Sequence, residues 1–149
     1  MFNIALYQPD IPQNTAAIIR LCSCFGVTLE IIEPCGFQLN DKRLKKVAMD
    51  YLKKSKIITY KSYEDFLLKK KKKRIILMTT KAKIKYYKFK FKLNDTLLFG
   101  RESAGVPKIV HDKSNERLRI PLKKNTRSLN ISIAAAITLS EALKQNMVF

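Results

Sequence analysis

Short apolar and β-branched runs alternate with longer amphipathic segments along almost the whole chain, and this alternation limits the fold more than any other feature. Strands are predicted over 2–7, 28–32, 57–60, 75–79, 96–99 and 117–120, and helices over 15–25, 41–54, 62–68 and 129–145. Successive strands joined by helices must run parallel, because a tight hairpin cannot connect parallel neighbours. The expected class is therefore α/β with a mainly parallel sheet. Local chemistry supports several boundaries. Ile18, Ile19, Leu21, Cys22 and Phe25 recur near the 3.6-residue period, with Gly26 as the stop. Ser62-Tyr63-Glu64-Asp65 reads as a capping box with Asp in the place of Glu or Gln. Ile131, Ala134, Ala135, Thr138, Leu139, Ala142 and Leu143 trace the buried stripe of a final helix.

A chain of 149 residues suits one domain, 1–149, with a core of its own. No apolar run approaches the ~18 residues of a membrane span, and Met1-Phe2-Asn3-Ile4 lacks the basic start of a signal peptide, so a cytoplasmic protein without membrane contact is expected. Cys22, Cys24 and Cys35 have neither zinc-ligand spacing nor accompanying histidines, and are read as reduced, largely buried thiols with no metal. His111 is the one histidine and is read as exposed surface, which leaves no Ser-His-Asp or Cys-His set for hydrolysis.

A net charge of +18 favours polyanions, since each phosphate neutralised by Lys or Arg releases condensed counterions. Compositional bias toward lysine accounts for the total equally well, so local patterns carry more weight. The run 69–74 is read as a helix end in solvent. Residues 86–92, Tyr-Tyr-Lys-Phe-Lys-Phe-Lys, interleave rings and cations at period two. They fit either an RNA-stacking ribbon or an edge strand guarded by lysines.

Three segments hold polar residues at strand ends, where α/β proteins build ligand sites: Ile11-Pro12-Gln13-Asn14-Thr15 with Arg20, Leu98-Phe99-Gly100-Arg101-Glu102-Ser103-Ala104-Gly105, and Arg127-Ser128-Leu129-Asn130-Ile131-Ser132. The glycines at 100 and 105 bracket a loop that turns sharply and bares its backbone. It matches neither a phosphate loop nor a dinucleotide fingerprint. Asn14, Ser128 and Asn130 read equally as helix caps, and Met78 and Ile120 as plain core.

Together with Ile4-Ala5-Leu6-Tyr7, Ile32-Glu33-Pro34, Asp41-Lys42-Arg43-Leu44, Thr79-Thr80-Lys81 and Ile120-Pro121, these segments resemble the SPOUT methyltransferases. Within them the likeness is to small SpoU-type enzymes that 2′-O-methylate the cytidine or modified uridine at the tRNA wobble position. The resemblance implies a C-terminal trefoil knot, bent S-adenosylmethionine held among the knot's loops, and a homodimer with shared sites. It further implies the anticodon stem-loop of tRNA, leucine tRNAs among them, as partner. Carried over residue by residue, cofactor contacts fall on Met78, Gly100, Ile120 and Ser128, and the chemistry on Arg20, Asn14, Glu102 and Asn130. Arg20 is placed at the 2′-hydroxyl; since a guanidinium holds its proton firmly, it is read as positioning the acceptor, and the proton acceptor stays open. The chain departs from the pattern at Ala16, Arg101, Ser103-Ala104 and Ile133, where relatives carry Gly, Pro, Thr-Arg and Asn. A SpoU-type enzyme for another tRNA or rRNA site, or a non-catalytic RNA-binding relative, are the competing readings.

Overall fold

Asn3–Tyr7 (β1) is buried from Ile4 onward on both faces, as a central strand of a parallel sheet must be. Ile4 lies opposite Leu29 on one side and Leu97 on the other, and Leu6 opposite Ile31 and Phe99. Thr28–Ile32 (β2), Ile57–Tyr60 (β3), Ile75–Met78 (β4), Ile84–Lys85 (β5), Thr96–Phe99 (β6) and Glu116–Arg119 (β7) complete it. The computed structural model describes residues 1–148, and in it the order is β3-β2-β1-β6-β4-β7-β5 with every pairing parallel. Phe149 lies outside the described residues.

Side chains alternate between two cores, as the period of two requires. Ile4, Leu6, Leu29, Ile76, Leu97 and Phe99 face one core with Ile18, Ile19 and Cys22 of Pro12–Phe25 (α1), Leu44 of Lys42–Ala48 (α2) and Leu139 of Ile131–Gln145 (α6). Ala5, Tyr7, Leu77 and Leu98 face the other with Tyr63 and Phe66 of Tyr63–Lys69 (α4) and Val110 of Lys108–Lys113 (α5). Gly26 ends α1 at φ +62°, and the Ser62 hydroxyl accepts the Asp65 N–H at 3.1 Å, both as anticipated. Among the described residues no helix is long and apolar enough to cross a membrane.

Four expectations are corrected. The helix expected over 41–54 breaks at Met49, whose φ of +50° closes α2 before Tyr51–Lys54 (α3) begins. Helix α5 has no counterpart among the predicted helices, since six residues carry too little periodicity to register. The basic run 69–74 does not all face solvent: Lys70 is buried and pairs with Glu30 at 2.5 Å, and Arg74 clasps buried Asp95 at 2.6 Å. Residues 86–92 do not form the edge strand, one of the two expectations for this segment. After the 3-10 turn Tyr86–Lys88 the chain drops Phe91 into the core at 2% exposure, and apolar burial overrides the period-two pattern.

Candidate active site

The strand order reverses between β1 and β6. From β1 the chain proceeds outward through β2 to β3, while β4 and β7 lie beyond β6 on the other side. The loops leaving β1 and β6 therefore diverge and open a crevice at the carboxyl ends of the strands, the place where open α/β sheets bind ligands. Two of the three polar segments are these loops, and the third leads into α6, which packs beside α1.

The loop after β6 is closed by two backbone hydrogen bonds, Arg101 N–H to Gly105 O and Gly105 N–H to Arg101 O, each 2.8 Å. Gly105 sits at φ +63°, where a side chain is strained. Gly100 needs its missing side chain for a different reason: a Cβ there would stand 2.6 Å from the Gly105 carbonyl carbon. The loop is then fastened to the β1 end through Asp10. Arg101 bridges Asp10 at 2.7 Å, and the Ser103 N–H donates to the same carboxylate at 3.1 Å. The hydrogen bond from Arg101 holds the Asp10 carboxyl below its ordinary range; partial burial opposes this, and Ser103 adds to it. Arg101, a departure from the family pattern, thus has a structural role in this chain.

Glu102 reaches back from that loop to the start of α1. Its carboxylate accepts from the Asp10 N–H at 2.8 Å, the Ile11 N–H at 3.4 Å and Asn14 Nδ2 at 3.4 Å. Ile11 has no capping side chain of its own, so Glu102 serves the free end of α1 from outside, where a negative group is also favoured by the helix dipole. Asn14 Oδ1 in turn accepts from Asn130 Nδ2 at 2.9 Å, while Asn130 Oδ1 accepts the Ser132 N–H at 2.9 Å. Asn130 is therefore both the cap of α6 and a member of the site. Asn14 lies in the first turn of α1, two residues beyond Pro12, and is no cap.

A cavity of about 850 Å³ opens beside this chain of carboxylate and amides. Met78, Gly100, Ile120 and Ser128 line it, as do Asn14, Glu102 and Asn130. Met78 and Ile120 are core and cavity wall at once. Arg20 is not brought there: it is exposed, on α1, with its guanidinium 5.1 Å above the Tyr51 ring. His111, expected on open surface, is half-buried and lines the cavity because α5 packs across the loop ends. Lys108 and Leu122 are further wall residues without a sequence signal of their own.

The thiols scatter. Cys22 is buried and Cys35 half-buried, while Cys24 is exposed, so burial holds for only part of the set. Burial pushes the Cys22 thiol up to about 12 and the Cys35 thiol to about 11, the latter helped by Glu33 and Glu102, so both stay protonated and unreactive at neutral pH.

The profile of the SpoU rRNA Methylase family matches residues 1–140. A protein of Beijerinckia indica subsp. indica named tRNA (cytidine(34)-2'-O)-methyltransferase is 46% identical over 145 residues, covering 95% of this chain and 90% of its own. A solved structure described as "Structural insights into the 2-OH methylation of C/U34 on tRNA" superposes with a TM-score of 0.95 at 32% identity, covering 99% of this chain and 97% of that one. An AdoMet-bound rRNA methyltransferase from Sinorhizobium meliloti, 23% identical, shares the fold with a TM-score of 0.88 over 96% of this chain and 56% of its own. A match running over most of the chain, with a near-full-length relative at this identity, is decisive: the chain belongs to the SpoU rRNA methylase family.

Proposed function

We propose that this protein is a tRNA (cytidine/uridine-34) 2′-O-methyltransferase that uses S-adenosylmethionine, with leucine tRNAs among its substrates. One observation carries the reading: three segments far apart in sequence converge on a single cavity through the links Glu102–Asn14–Asn130, in a chain that resembles wobble methyltransferases over nearly its full length.

The cavity suits the cofactor. Its size falls within the ~300–1,000 Å³ of small-molecule sites. Its apolar walls, Met78, Ile120 and Leu122, offer a slot for a flat base, and the absence of a side chain at Gly100 lets the Gly105 backbone close in and shape the loop that borders it. Met78, Gly100, Ile120 and Ser128 would hold the cofactor, which supplies an electrophilic sulfonium methyl. Glu102 fixes the α1 start and Asn14; Asn14 and Asn130 present amides at the cavity edge to orient the nucleotide. In-line approach of the ribose hydroxyl is the main requirement of the reaction, and such positioning is what a pre-tied polar chain supplies.

Arg20 steers the 2′-hydroxyl and its phosphate. Its absence from the cavity wall of its own chain supports a homodimer in which Arg20 of one copy completes the cavity of the other. Ile11 at 41% and Ile133 at 51% exposure leave apolar surface around the starts of α1 and α6 for such a contact. Ile133, standing where relatives carry Asn, then acts in that contact. The trefoil knot also belongs to this reading: the chain leaving β7 passes the cavity at Ile120, Leu122 and Ser128 before entering α6, the route a threaded C-terminal segment would take.

An anticodon stem-loop with cytidine or a modified uridine at position 34 is expected to accept labelled methyl, while the same RNA with a 2′-deoxy wobble sugar binds equally and accepts none. Methyl incorporation into the deoxy RNA would refute the assignment.

A further inference from the structure

Six lysines, Lys81, Lys83, Lys85, Lys88, Lys90 and Lys92, occupy one stretch that contains no carboxylate, and none pairs with an acid among the described residues. Apart from Lys81, neither the cavity nor the two cores accounts for them. The stretch begins inside the site already described, since Lys81 lines the cavity. It then runs along β5, the last strand of the sheet, where Lys83 just before the strand and Lys85 within it are exposed, with Ile84 exposed between them. It then reaches Tyr87, 45% exposed on the 3-10 turn, and continues to Lys92.

Tyr87 is held, not loose. Tyr86 meets it edge-on with ring centroids 5.5 Å apart, and Lys85 Nζ stands 6.0 Å from its ring centre. Just beyond, buried Phe91 anchors the segment, and Gln145 of α6 accepts from the Phe91 N–H and donates to the Phe89 carbonyl, each at 3.0 Å. The aromatic residues of this segment therefore divide: Phe91 fastens it, and Tyr87 offers a ring to solvent. A large exposed ring flanked by cations without an acidic partner, on a stretch that starts at the cavity wall with Lys81, is the composition that single-stranded nucleic acid requires. Bases stack on rings, and lysines neutralise the phosphates between them.

We propose that the β5 edge is an RNA track in which Tyr87 stacks an unpaired base while Lys83 and Lys85 carry the phosphates of the strand entering the cavity at Lys81. The proposal rests on the methyltransferase reading and adds to it the surface that holds the loop beside the target nucleotide. Its occupant is single-stranded RNA; an added protein strand is disfavoured because lysines along an edge oppose pairing.

The sequence has no tryptophan, so Tyr87→Trp introduces a unique fluorophore. In the otherwise intact full chain, an anticodon stem-loop is expected to quench the indole emission of this variant at saturation, whereas heparin, which has charge but no bases, is not. Tyr87→Phe should hold the stem-loop within twofold of the parent. Tyr87→Ala should weaken it about tenfold, with S-adenosylmethionine affinity unchanged and the far-ultraviolet spectrum retained. Lys83→Ser with Lys85→Ser should flatten the salt dependence of RNA binding by about two counterions. RNA that binds the Tyr87→Trp variant and is methylated by it without quenching its emission overturns the track and leaves the methyltransferase reading standing. Parent protein that neither binds nor methylates the stem-loop overturns both. Aggregation of the double serine variant with unaltered RNA affinity shows edge protection instead and also overturns the track.

Discussion

Two of the carboxylate centres among the described residues look alike on paper and differ in what surrounds them. In one, Glu30 lies inside the wall between sheet and α4, its side chain 2% exposed, and accepts from Lys70 at 2.5 Å, Tyr60 Oη at 3.0 Å and Asn3 Nδ2 at 3.2 Å. In the other, Asp10 and Glu102 stand at the open end of the strands and bind mainly loop backbone and Arg101. The buried cluster is closed upon itself, apart from one Glu30 oxygen without a partner among the described residues. The open cluster ends at a cavity. Burial raises the cost of any unpaired charge, so the first arrangement serves stability, while the second keeps polar groups ready for a ligand.

The largest effect expected is at the open end. Gly100→Val places a branched Cβ against the Gly105 backbone, 2.6 Å from its carbonyl carbon, and so forces the loop open. No heat of S-adenosylmethionine binding is expected by calorimetry at concentrations that saturate the parent, with the far-ultraviolet spectrum retained and about 1–3 kcal/mol of stability lost to overpacking. The obstacle is the facing backbone more than the ligand, a point invisible in the sequence. Unchanged cofactor affinity would separate the loop from the cavity and remove the contrast between the clusters.

Arg20→Ala comes next. Turnover is expected to fall ~10²-fold or more, as for other lost transition-state contacts, with cofactor affinity within a few-fold. Mixing it with Gly100→Val should restore part of the activity, because one hybrid site then has both an intact cavity and an intact Arg20. Sedimentation should give a dimer at micromolar concentration. An active monomer, or no restoration, would confine each site to one chain.

Lys70→Met tests the closed cluster. Burial pulls the Lys70 ammonium below its ordinary value while its hydrogen bond to Glu30 raises it, so each group depends on the other. Removing the lysine leaves Glu30 charged and buried, and urea unfolding should show a loss of about 3–5 kcal/mol. Adding Glu30→Gln should recover much of it. Cofactor affinity is expected within twofold of the parent; a larger change would mean the two clusters are coupled through β2 and β1.

The same comparison separates what the sequence reveals from what it hides. Strands β1, β2, β3 and β6, the α1 stop at Gly26 and the Ser62 cap are legible because period, glycine and capping chemistry are local. Asn14, Glu102 and Asn130 stand out as polar residues at strand ends, and their meeting follows from the family likeness; the hydrogen bonds Asn14–Glu102 and Asn130–Asn14 need coordinates. Lys70 is hidden because a buried lysine in a basic run has the same local pattern as an exposed one, and its partner lies on another element. His111 is hidden for the converse reason: α5 is too short to show which side faces the cavity. Phe91 suggests the wrong period because core burial, not strand pairing, decides its direction.

The smallest effect expected is the pH response of Asp10. Its carboxyl is held below the ordinary value chiefly by the hydrogen bond from Arg101, so the folded state favours its charged form. A carboxyl depressed on folding contributes stability that is fully present above its unfolded value, near 3.9, and disappears as pH falls through the lower folded value. At neutral pH the slope from this group is therefore zero. Asp10→Asn and the parent should show parallel unfolding free energies from pH 5 to 8 and converge only below about pH 4. The offset should be small, because Arg101 is 36% exposed and solvent screens the pair, and it should shrink further in about 1 M salt. Lys70→Met, by contrast, should keep most of its deficit in salt, since that pair is shielded from solvent ions. A salt-insensitive Asp10 offset would place Asp10 energetically with Glu30 and erase the distinction between the open cluster and the closed one.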